Sequence, residues 1–147
     1  MTSALGLSVT AIDHVGIAVP DLDEAIAHYR DTFGFVVTHV ETNEEQGVRE
    51  AMLAADGAPE GATAIQLLAP LNEASTIAKF IDKRGAGMQQ IAYRVDDIEA
   101  ACAAIKAKGL RLLFAEPKHG TANSRTNFIH PKDAGGVLVE LVEPAKH

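Results

Sequence analysis

An internal repeat restricts the folds open to this chain more than any other feature of it. The first copy is the apolar run Ile12-Asp13-His14-Val15-Gly16-Ile17-Ala18-Val19, followed by Pro20-Asp21-Leu22-Asp23-Glu24. The second is Met88-Gln89-Gln90-Ile91-Ala92-Tyr93-Arg94-Val95, followed by Asp96-Asp97-Ile98-Glu99. Laid over one another, Val95 falls on Val19, Asp97 on Asp21, Ile98 on Leu22 and Ala101 on Ala25. The correspondence continues where Phe33-Gly34-Phe35-Val36-Val37 matches Lys108-Gly109-Leu110-Arg111-Leu112. It returns where Ile65-Gln66-Leu67-Leu68-Ala69-Pro70 matches Val139-Glu140-Leu141-Val142-Glu143-Pro144. A repeat of this kind means one supersecondary unit used twice.

Each copy reads as strand, helix, strand, strand, strand. Residues 10–19 are short, apolar and β-branched, as a buried strand should be. Asp21 or Asp23 can cap a helix in which Leu22, Ala25, Ile26 and Tyr29 recur at helical spacing, and Gly34 ends it. Strands follow at Phe35 to Val40, Val48 to Ala54 and Thr63 to Leu68, separated by the polar connector 41–47 and the breaker-rich turn 56–61. A helix over 71–83 leads to the second copy. That copy predicts a strand from Gln89, a helix from Ile98 to Lys108, and strands at Leu110–Phe114, Thr126–His130 and Val137–Val142. With no low-complexity linker, the expectation is one domain over 1–147, with modules at about 10–70 and 88–144. The fold class expected is α+β: two paired βαβββ modules forming an open eight-stranded barrel-like sheet around a cleft.

At 147 residues the chain is long enough for one well-packed core. A net charge of −7 argues against nucleic acid or an anionic membrane surface as the main partner. No apolar run reaches the length of a bilayer span. The first seven residues lack the pattern of a signal peptide. Cys102 is the single cysteine, which rules out an internal disulfide and suits a cytoplasmic home.

Each copy carries one polar residue on its first strand and one on its last: His14 with Gln66, and Gln90 with Glu140. If the two modules share a cleft, equivalent positions converge there. One imidazole, two amide oxygens and one carboxylate suit a six-coordinate divalent metal, with positions left for water or substrate. They are unlike a structural zinc site, which favours thiolates. Four polar residues on buried strands could equally hydrogen-bond to one another and hold no metal.

From about Thr10 to Pro144 the chain resembles the vicinal oxygen chelate superfamily, on the paired repeats and on His14, Gln66, Gln90 and Glu140. Within it the chain is similar to the methylmalonyl-CoA epimerase family. The narrower features are Glu45-Gln46-Gly47-Val48, Phe128-Ile129-His130-Pro131-Lys132 and Gly136-Val137-Leu138-Val139-Glu140-Leu141; Gln66 stands where the glyoxalase I branch usually carries glutamate. Where many epimerases read His-His before Ile-Ala, this chain reads Gln89-Gln90, so an amide replaces an imidazole among the expected ligands. An amide oxygen is a harder and weaker donor, which lowers affinity for late transition metals and disfavours an iron dioxygenase.

The resemblance implies epimerisation of (R)- and (S)-methylmalonyl-CoA by metal-assisted removal and return of the α-proton. It implies a divalent metal on His14, Gln66, Gln90 and Glu140, cobalt first, with manganese, magnesium, nickel or zinc as alternatives. The catalytic pair maps onto Glu45 and Glu140, and a homodimer is expected. Lys118, His119, Arg125 and Lys132 supply positive charge for the phosphates of coenzyme A, or are ordinary surface residues. Two rival functions are a glyoxalase-type lyase and a metal-free small-molecule binder; such binders generally lack the carboxylate that Glu140 provides.

Overall fold

A computed structural model of the chain describes residues 6–146. Residues 1–5, on which most of the signal-peptide reading falls, lie outside the described residues. The elements run β1 (Val9–Ala18), α1 (Leu22–Phe33), β2 (Val36–Asn43), β3 (Val48–Ala54), β4 (Ala64–Pro70), α2 (Thr76–Arg84), β5 (Gly87–Val95), α3 (Ile98–Ala107), β6 (Lys118–His119), β7 (Arg125–Ile129) and β8 (Val139–Glu143). The expected α+β class is found, with eight strands in the order β2-β3-β4-β1-β5-β8-β7-β6. No helix among the described residues is long and apolar enough to cross a membrane. The described residues divide into two compact units: residues 14–89, and residues 90–146 with 6–13. Strand β1 contributes to both.

In the unit of residues 14–89, β1 pairs parallel with β4, and β3 joins β4 and β2 antiparallel. Helix α1 forms because Asp21, in extended conformation, accepts from the Glu24 N–H at 3.0 Å. It stops at Gly34, whose φ of 78° only glycine adopts freely. Its apolar stripe covers one face of the strands, where Val19, Leu22, Ala51, Leu53, Leu67 and Ala69 form the core. Alternation along the strands sends the other residues to the opposite face. There Ala18, Val48 and Leu68 meet Ile77, Phe80 and Ile81 of α2.

Helix α2 begins five residues later than the periodicity predicts. Asn72 Oδ1 accepts from the Ala74 N–H and Ser75 Oγ from the Ala78 N–H, so the short polar side chains make a turn and then a cap. The turn 44–47 docks on that cap. Gly47 has a φ of 70°, its carbonyl accepts from Leu71 N–H at 2.9 Å, and a Cβ there would lie 2.9 Å from the Ser75 Cβ. Only glycine fits.

In the other unit, β5 pairs parallel with β8, and β7 joins β8 and β6 antiparallel. Asp97 caps α3 by accepting from Ala100 N–H, as Asp21 caps α1. Val95, Ile98, Ala101, Cys102, Ile105, Ile129, Val139 and Leu141 form the core beneath α3. The repeat is imperfect here. The strand expected at Leu110–Phe114 is reduced to one bridge, Leu112 with Ile129. Asp133 takes the Arg111 N–H and guanidinium at one end, and Asn127 takes the Phe114 backbone at the other. Side chains have replaced a ladder.

Candidate active site

The face of residues 14–89 turned away from α1 carries the polar residues. The register sets Gly16 beside Gln66 and Gln66 beside Met52, with Glu50 beside Leu68. His14, Gln66 and Glu50 therefore share one face, Glu50 lying diagonally across the hairpin from Gln66. The Gln66 Nε2 donates to Glu50 Oε2 at 3.0 Å. All three residues are buried, Glu50 to 4% exposure.

Glu45 lies elsewhere, exposed in the turn 44–47. Glu50, not among the residues expected at the site, is the carboxylate that the fold buries against Gln66. The available signal was alternation: Glu50 shares the phase of Val48 and Met52 on β3, two residues inside the strand rather than in its approach.

In the second unit Glu140 is paired with Ala92 on one side and Phe128 on the other. Gln90, two residues before Ala92, is on the same face, opposite α3. Gln90 Nε2 donates to Glu140 Oε1 at 2.9 Å, and both residues are buried. Each unit thus places an amide against a buried carboxylate, on the face that its own first helix leaves open.

The cations expected near coenzyme A separate. Lys118 sits with its Nζ 4.6 Å from the centre of the Phe114 ring, and Phe114 packs edge-on against Phe128, the neighbour of Glu140. Arg125 belongs to the opposite face, where its guanidinium bonds Glu99 of α3. His119 is exposed on β6, beside Arg125 in register. Lys132 is exposed in the 3-10 turn 131–133, its backbone N–H on His130 Nδ1. Sequence reasoning also passed over Asn127, which is wholly buried.

The donor set suits a divalent metal by its chemistry. Both glutamine nitrogens donate to carboxylates, which directs each Oε1, the atom a cation would use, away from that carboxylate. The unit of residues 14–89 offers an imidazole and a carbonyl oxygen, and the other unit a carbonyl oxygen and a carboxylate, donor types that favour hard to borderline ions. Among the described residues no group of three or more His, Cys, Asp or Glu is placed to hold a metal, so any such site must use its amides.

Residues 13–128 match the family model described as the Glyoxalase/Bleomycin resistance protein/Dioxygenase superfamily. The chain belongs to that superfamily. Relatives there include epimerases. It is 42% identical to the ethylmalonyl-CoA/methylmalonyl-CoA epimerase of Cereibacter sphaeroides over 132 residues, 88% of this chain and 95% of that protein. The crystal structure of methylmalonyl-CoA epimerase from Mycobacterium tuberculosis is similar at 56% identity and a TM-score of 0.90, covering 99% of this chain and 94% of that one. A structure of methylmalonyl-CoA epimerase in complex with methylmalonyl-CoA and NH4+ is similar at 50% identity and a TM-score of 0.88, covering 94% and 96%.

Proposed function

We propose that this chain interconverts the (R)- and (S)-epimers of methylmalonyl-CoA with a pair of glutamates, Glu50 and Glu140. The observation that carries the reading is the arrangement common to both units: a buried carboxylate bonded to a glutamine amide on the neighbouring strand of the same sheet. Inversion at carbon needs one group to take a proton from one side and another to return it on the other. A chain that builds its site twice supplies such a pair.

His14, Gln66, Gln90 and Glu140 are the residues that would hold a divalent ion. When bound, the ion supplies positive charge for the thioester oxygen as negative charge develops there. Glu50 takes the α-proton on one face, and the electron pair moves into the thioester carbonyl to give an enolate. Glu140 delivers a proton on the other face, and the roles exchange for the reverse reaction. The Gln66 amide holds Glu50 in one orientation, and the Gln90 amide does the same for Glu140. Burial excludes water that would otherwise quench the enolate without stereochemical control.

Glu50 is preferred to Glu45 as the partner of Glu140 because it is buried on the face that carries Gln66. Lys118 is the cation proposed for the anionic part of the substrate. Cobalt is the metal suggested by family resemblance. A cytoplasmic homodimer is part of the same reading. The buried free Cys102 supports a reducing compartment, and the exposed Val36, Val37 and Val40 on edge strand β2 offer apolar surface to a second copy.

The test is direct. Purified protein loaded with cobalt or manganese should convert one epimer of methylmalonyl-CoA into an equilibrium mixture, and chelation should abolish the conversion. Turnover of a glutathione hemithioacetal instead would favour the lyase reading.

A further inference from the structure

Asn127 occupies a position that the core rules would give to an apolar residue. It lies on β7 between Thr126 and Phe128, on the side of the strand covered by α3, with Cys102 as a neighbour. It is 0% exposed. A buried amide there is costly unless every polar atom is satisfied, so what it bonds shows what it is there to hold. Its Oδ1 accepts from the Phe114 N–H at 3.1 Å and the Phe128 N–H at 2.8 Å. Its Nδ2 donates to the Phe114 carbonyl at 3.1 Å and lies 3.6 Å from Cys102 Sγ. One side chain therefore satisfies both backbone groups of Phe114.

The reason is visible in the neighbouring segment. Residues 111–113 still follow β7, with His130 N–H on the Arg111 carbonyl and Leu113 N–H on the Phe128 carbonyl. At Phe114 the ladder gives way to the Asn127 amide. This departure lets the Phe114 ring meet Phe128, with ring centres 5.7 Å apart at 89°. Lys118 Nζ rests 4.6 Å from the Phe114 ring centre. Phe128 is the register partner of Glu140. An ammonium held against an aromatic ring that packs on the register partner of Glu140 is a site for an anion, in a chain whose net charge of −7 otherwise repels one.

We infer that Asn127 is a positioning residue for substrate affinity: by pinning the Phe114 backbone it sets a Phe114–Lys118 platform that receives the phosphorylated end of an acyl thioester. The inference rests on the acyl-CoA reading of the site and adds to it a residue on the far side of the strand.

The experiment is a double-mutant cycle on Asn127 and Phe114, read both as steady-state constants and as coenzyme A affinity by calorimetry. Asn127→Leu should raise KM and weaken coenzyme A binding by about tenfold or more while kcat stays within about threefold, the split expected when binding alone is lost. Phe114→Leu and Lys118→Ala should do the same. The double variant Asn127→Leu/Phe114→Leu should be no worse than Phe114→Leu, because Asn127 acts through that ring. Additive losses in the cycle, unchanged affinity in Asn127→Leu, or a fall in kcat at constant KM would each overturn the inference. If Asn127→Leu does not fold, Asn127→Asp replaces it. That variant keeps the acceptor, loses the donor to the Phe114 carbonyl, and should show an intermediate loss of affinity; unchanged affinity counts against the proposal. A wild-type protein that binds coenzyme A without epimerising substrate would defeat the enzymatic reading and leave the affinity cycle to decide this one.

Discussion

The side-chain nitrogen of Gln66 donates to the buried carboxylate of Glu50 across 3.0 Å, from one strand of a hairpin to the next. That bond orients two groups at once. It turns the Gln66 carbonyl oxygen away from Glu50, and it holds one oxygen of the carboxylate in place. The second unit makes its own version between Gln90 and Glu140 at 2.9 Å. The repeat does not copy it residue for residue: Gln66 on β4 corresponds to Glu140 on β8 and His14 on β1 to Gln90 on β5, while Glu50 comes from β3, so the two bonds cross different pairs of strands.

Removal of Glu140 should cost both metal and stability. Glu140→Ala takes away the acceptor of the buried Gln90 nitrogen, and an orphaned buried donor costs about 1–3 kcal/mol. Urea denaturation should show that loss, and metal analysis of the purified variant should show most of the divalent ion gone. Metal content equal to the wild type would remove Glu140 from the ligand set.

Restoring an imidazole should act in the other direction. Gln90→His supplies the better donor for cobalt, nickel or zinc and should tighten their binding by about tenfold or more, measured by competition with a chromogenic chelator. Unchanged affinity would mean that position 90 does not touch the ion.

Much of this was legible in the sequence, for identifiable reasons. The strands β1, β3, β4 and β5 and the helices α1 and α3 announced themselves because caps and apolar periodicity agree with tertiary packing at Asp21, Gly34 and Asp97. The repeat placed His14 and Gln66 on two strands that pair, and Gln90 and Glu140 on two others that pair. What escaped was decided by side chains reaching across the fold. Glu50 follows Glu41, Glu44 and Glu45 closely in the chain, and its burial depends on register with β4. The loss of the strand at 110–114 depends on Asn127 and Asp133, which are distant in sequence from the backbone they hold.

The Arg111–Asp133 pair should give the stability a feature at low pH. Hydrogen bonds from Arg111, first from its guanidinium and then from its backbone, hold the Asp133 carboxyl down at about 2, below its ordinary value of 3.8. A carboxyl lowered by folding stabilises the native state fully above its unfolded value, and the contribution disappears as pH falls through the folded one. The melting temperatures of wild type and Asp133→Asn should therefore differ by a constant amount from pH 5 to 8 and draw together between about pH 4 and 2. A difference that persists unchanged at pH 2 would assign the effect to the neutral hydrogen bonds alone.

The central claim, two glutamates on opposite faces of the substrate, is tested most directly by α-proton exchange in deuterated water, followed by NMR on each epimer separately. Glu50→Gln keeps an acceptor for the Gln66 nitrogen and should bind metal and substrate normally, yet epimerise about two to four orders of magnitude more slowly. Exchange should persist for the epimer whose proton faces Glu140 and vanish for the other, while Glu45→Gln exchanges both. Two-sided exchange in Glu50→Gln, with one-sided exchange in Glu45→Gln, would contradict the account and return the base to the exposed turn.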